Sequence, residues 1–247
     1  MTRRRNLVTV LALLLMGLAS SAPAAQLAVD LSDHAVSIST GFAGTSLLLF
    51  GATEEPGDLV VVITGPKHTV TVRRKERVGG IWVNTEAATF GGVPGFYAVA
   101  ATRPLDELTD AAVRKRHEIG FENIALQRPR DIAPQKVQAF RDGLRRNLVR
   151  DGLVVEATRP VSIVDKRLFR TRIDVPSNVP VGTYLTRVLL FQNGELISVR
   201  TTPLKVERSG LSASIFDFAH QHAAAHGIVA ILLALAAGWA AALAFRR

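Results

Sequence analysis

Residues 227–245, GIVAILLALAAGWAAALAF, run for 19 positions without a charge, and no other feature limits the fold of this chain so strongly. As a helix the run covers about 28 Å, the thickness of a bilayer's hydrocarbon layer. It has no polar face to turn toward water, so it predicts a transmembrane helix. Arg246 and Arg247 follow at once, and basic residues beside a span stay on the cytoplasmic side. The opposite end reads as a targeting segment. Arg3, Arg4 and Arg5 precede an apolar stretch at 7–18 that is too short to span, and Ala22-Pro23-Ala24 fits a small-residue cleavage site. The expected organisation is therefore a signal peptide at 1–25, a periplasmic body at 26–210, a juxtamembrane segment at 211–226, the span at 227–245 and a cytoplasmic tail at 246–247. The short flanks and the A-x-A site suit a single-pass protein of a bacterial inner membrane.

There are no cysteines, so in an oxidising compartment the body must be held by a conventional apolar core, without disulfides or thiol chemistry. The formal charge of +9 suggests nucleic acid at first sight. Five of the thirty cations belong to the two flanks, however, while all twenty-one acids lie between Asp30 and Asp217, which leaves the body at +4. Topology and this modest excess exclude nucleic acid as a partner.

Within the body, residues 34–102 read as short strands. AVSIST alternates, SLLLF and LVVVIT are continuous apolar runs, and TVTVR places Val70 and Val72 on one side. Gly79-Gly80 marks a bulge or tight turn before IWVN. The period becomes helical at 106–118 and 134–150, where Val137, Phe140, Leu144 and Leu148 recur at three and four residues after Pro134. Strands return at Leu153. LFRTRIDV puts Phe169, Ile173 and Val175 on one face, and Asn193-Gly194 suits a type I′ hairpin turn. The expected fold is mainly β: an immunoglobulin-like β-sandwich with a helical insertion at about 105–150, plus the C-terminal transmembrane helix. Two small sandwiches are the alternative.

Four blocks, RRKERVGGIWVN, PGFYAVAATRPL, LFRTRIDVPSNVPVGTY and HGIVAILLALAAGW, occur in this order. Together they resemble the alphaproteobacterial putative transmembrane protein family, whose members have a signal peptide, an outer domain and one C-terminal span, with no established activity. His226 departs from the pattern, which has an aromatic residue there. The resemblance also implies a partner, a sulfite-exporter-type anion permease, beside which members of the family are encoded.

Candidate site residues fall in three groups. Arg73, Arg74, Lys75 and Arg77 crowd around a lone Glu76, with Trp82 beyond the glycine pair. Guanidinium forks bind oxyanions and acidic partners, and Trp and Arg anchor contacts; a solvated edge strand is the plainer reading. Arg170, Arg172 and Arg187 are candidates to join this surface. In the span, Ala234, Gly238 and Ala242 form a small-residue stripe of the kind that lets helices approach closely. Self-association or packing on a partner helix would use it. His222 and His226 stand i, i+4, a spacing that can ligate a metal, and Asp217 could add a carboxylate if the helix begins by then. Two ligands do not make a site, so no metal or other cofactor is assigned, and the histidines are read as a juxtamembrane collar.

No nucleophile elbow, phosphate loop or H-E-x-x-H motif occurs. The expectation is a non-enzymatic accessory protein that contacts a membrane protein. An oxyanion-binding module is the alternative, and an enzyme with an unrecognised site comes third.

Overall fold

The computed structural model describes residues 27–209 and 218–245. The segments assigned to the signal peptide, to Arg246 and Arg247, and to the first part of the juxtamembrane stretch, 211–217 with Asp217, lie outside the described residues. The body is mainly β. Strands β1 (Leu27–Leu31), β3 (Thr45–Thr53), β10 (Leu168–Val175) and β9 (Ser162–Val164) form one sheet in the order β1-β3-β10-β9. A second sheet has the order β2-β12-β11-β4-β7-β8. Its members are β2 (Ala35–Ile38), β12 (Glu195–Arg208), β11 (Gly182–Gln192), β4 (Asp58–Thr64), β7 (Tyr97–Ala101) and β8 (Val154–Pro160). Most pairs are antiparallel, but β2 runs parallel to β12 and β8 parallel to β7. A separate hairpin joins β5 (Lys67–Val78) to β6 (Ile81–Pro94).

The six-stranded sheet is apolar on both faces. Leu59, Val61 and Ile63 of β4 turn to a core shared with Leu47 and Leu49 of β3 and Phe169 and Ile173 of β10. Val60 and Val62 face the opposite way, into a second core. That is why LVVVI is an unbroken apolar run rather than an alternating one. Where only one face is buried, alternation returns. In β10, Phe169, Thr171, Ile173 and Val175 are buried while Arg170, Arg172 and Asp174 are exposed. The turn at Asn193-Gly194 has positive φ at both residues, 51° and 86°, as the hairpin reading requires.

The second core is closed by the helical insertion and the base of the β5–β6 hairpin. Phe140, Leu144 and Leu148 of α3 (Val137–Arg150) are buried there, with Val72, Phe90 and Val93 of the hairpin. The helical pattern at 106–118 is broken into α1 (Leu105–Leu108) and α2 (Ala111–Arg116), because Asp110 accepts the Val113 amide at 2.9 Å and starts a new helix. Two buried contacts lock the insertion to the sheets. The Tyr97 hydroxyl accepts from the Gly120 amide and donates to the Glu118 carbonyl, both at 2.8 Å. Thr109 Oγ1 donates to the Gly194 carbonyl at 3.0 Å. Burial raises the Tyr97 pKa, and the Gly120 amide bond and the Arg187 charge only partly oppose it.

Helix α4 (Ala223–Ala244) begins four residues before the expected span, so His226 lies inside it. Its window from Ala223 to Leu243 has a mean hydropathy of 2.0 and none of it is buried in the body.

Candidate functional site

The expected basic segment is one strand of a projecting arm. Past Val72 and Ala88, the last buried pair, both strands of the hairpin continue with little cover. Gly79 and Gly80 have φ of 57° and 89° with nothing within 4 Å of either Cβ position, so the glycine pair is the two-residue turn at the arm's tip. Arg77 fastens this turn by donating from Nε to the Gly80 carbonyl at 3.2 Å. Around it stand three apolar side chains, Val78, Ile81 and Trp82, and the last two are 67% and 69% exposed.

Strand alternation divides the four cations. Arg73, Lys75 and Arg77 share one face, and Trp82, paired opposite Arg77, lies on it too. Arg74 is on the other face with Glu76, at 3.1 Å, and Glu86, at 4.0 Å. Lys136 closes on the same Glu86 from the start of α3. The cations are therefore not one uniform patch.

Between β5 and α3 the structure opens a cleft of about 390 Å³. Val72, Arg73 and Arg74 form one wall, and Lys136, Phe140, Gly143 and Arg146 line the other. Lys136 and Arg146 were not singled out by the sequence reading. Their signal was the helical ladder Lys136, Ala139, Gly143, Arg146, but nothing local told which strand it faces.

Arg170 and Arg172 do not join this surface. They stand on the exposed face of the four-stranded sheet, whereas the arm grows from the other side of the six-stranded one. Arg187 is on the helical side, and its charge lowers the pKa of His117, though burial lowers it more. Ala234, Gly238 and Ala242 are on α4 with no neighbour near Gly238 within 4 Å. His222 and His226 both pack on Phe218, with ring centroids at 5.8 and 6.0 Å. No group of three or more metal-ligating side chains occurs among the described residues.

A mainly β body followed by one apolar helix of bilayer length is the build of a single-pass membrane protein. The chain belongs to the family described as "Putative transmembrane protein" (Alph_Pro_TM), whose model matches residues 26–247. Comparison with curated proteins and with solved structures gives no match.

Proposed function

We propose that this protein is a non-enzymatic accessory protein of the bacterial inner membrane, with its body in the periplasm, and that the β5–β6 arm docks on a membrane-embedded partner. One observation carries the reading: a hairpin that leaves the body, ends in exposed Val78, Ile81 and Trp82, and has Arg73, Lys75 and Arg77 along one face. Exposing a tryptophan and an isoleucine on a rigid two-residue turn costs solubility and adds nothing to the core. Trp and Arg together are the side chains that concentrate binding energy at interfaces. A sulfite-exporter-type anion permease is the candidate partner. The test is co-purification of the full chain from native membranes in a non-ionic detergent. A Trp82→Ala, Ile81→Ser variant should fold as the parent does and lose the partner. Undiminished recovery of the partner would refute the role of the arm.

The finer architecture we propose is immunoglobulin-like. Taking β1, β3, β4, β7, β9, β10, β11 and β12 as strands A, B, C, C′, D, E, F and G, the two sheets carry the orders A-B-E-D and G-F-C-C′. Tyr184, at the start of β11, donates its hydroxyl to the Pro180 carbonyl at 2.6 Å, which is the tyrosine corner of such domains. The arm is then an insertion between C and C′, and the helices lie between C′ and D.

A second reading, an oxyanion-binding module, is favoured by the cleft, whose lining includes Arg73, Arg74, Lys136 and Arg146 and no acid.

A further inference from the structure

The geometry points to the cleft between the arm and α3 as a binding site for a small organic anion: a carboxylate, sulfonate or phosphonate with a compact apolar group. This rests on the oxyanion reading above and narrows its ligand. Three independent features of the cleft lead there.

The first is charge. Glu86 draws Arg74 and Lys136 together, one from β5 and one from the start of α3, and so fixes two cations at the mouth. Arg73 and Arg146 have no carboxylate partner among the described residues, and no acid lines the cleft. Four cations against two acids, Glu76 and Glu86, leave a surplus of positive charge that an anion would complete, with the Arg146 guanidinium free to bind it.

The second is the floor. Val72, Ala139 and Phe140 supply it, and none offers a polar side-chain atom. Val72 and Phe140 are only 8% and 5% exposed, so the open apolar surface is narrow, and an inorganic oxyanion at the mouth would leave it uncovered. An anion with an apolar group would cover it. The volume of about 390 Å³ is within the usual range of small-molecule sites.

The third is Gly143, in the middle of α3 and lining the cleft. Glycine is the least favourable residue for a helix interior after proline. A Cβ there would meet Val72 Cγ1 at 3.6 Å and Arg146 Nη2 at 3.7 Å, ordinary contacts. Packing therefore does not demand glycine at this position. What glycine does is keep the floor of the cleft open.

The test is calorimetric titration of the full chain, in non-ionic detergent at low salt, with benzenesulfonate, sodium sulfate and benzyl alcohol. Benzenesulfonate should bind saturably and at least about tenfold more tightly than sulfate, while benzyl alcohol should show no saturable binding. Arg73→Gln with Arg146→Gln should weaken benzenesulfonate at least about tenfold, since the pair removes two of the four cations that line the cleft. Gly143→Leu should weaken it comparably by filling the floor, without removing charge. Should that variant fail to fold, the exposed arginine pair still decides. If sulfate binds as tightly as benzenesulfonate, and both are lost in the arginine variant, the oxyanion reading stands and the organic ligand is refuted. If benzenesulfonate binds parent and arginine variant alike, the site is elsewhere and the inference falls. Saturable binding of neither anion would overturn both readings.

Discussion

Gly143 allows the energetics of the cleft to be separated from its chemistry. Replacing it with alanine removes the conformational penalty of glycine in a helix interior, about 0.8–1.0 kcal/mol. Whether that gain is realised depends on room for the methyl group. Its two nearest neighbours would be 3.6 and 3.7 Å away, so neither Val72 nor Arg146 needs to move. Nothing offsets the propensity term, and Gly143→Ala should stabilise the protein by about 1 kcal/mol. For a body of this size, that corresponds to a rise in Tm of about 2–4 °C. Scanning calorimetry of parent and variant in the same detergent, without ligand, measures it. An unchanged or lower Tm would mean that α3 and β5 pack more closely than this geometry has them. The argument that glycine is there to hold a space would then be wrong.

Tyr97→Phe should cost about 2 kcal/mol, because it leaves the Gly120 amide and the Glu118 carbonyl without their shared buried partner; a loss below about 0.5 kcal/mol in denaturant unfolding would show that water replaces the hydroxyl. Gly238→Leu should insert normally but reduce cross-linking of α4 to a copy or partner, since leucine separates backbones that the small-residue stripe brings close; undiminished cross-linking would make the stripe incidental. For topology, a reporter active only in the periplasm should work when fused near Gly210 and fail when fused after Arg247, and the reverse pattern would invert the proposed orientation.

Those parts of the fold that depend on a short stretch of chain were legible in the sequence. The alternation of LFRTRIDV follows from one buried face and one wet face, and Asn193-Gly194 specifies its turn locally. The apolar helix needed no tertiary information at all. The break between α1 and α2 was missed: Asp110 is a capping residue, but the helical pattern was read straight across it. Pairings between distant segments were not legible. TVTVRRKERV has the same alternation in a sheet as in a free arm, and only the absence of a third strand makes it an arm. For the same reason Arg73 and Arg74 were visible as a basic run, whereas their meeting with Lys136 and Arg146 depends on α3 packing against β5. Arg170 and Arg172 could only be left as candidates, because a strand's own sequence tells which residues share a face, not which way that face looks.

The apolar run of β4 also constrains how the chain must be made. One neighbour, β7, follows soon after it, but the other is β11, near the end of the body. Until β11 is synthesised, β4 has an open hydrogen-bonding edge along five consecutive aliphatic side chains that are buried once folded. Such an edge recruits any strand that reaches it first. A fragment ending anywhere before Gly182 should aggregate, however much of the sheet it contains. That edge of β4 is closed only when β11 arrives, with every element from β5 to β10 made in between.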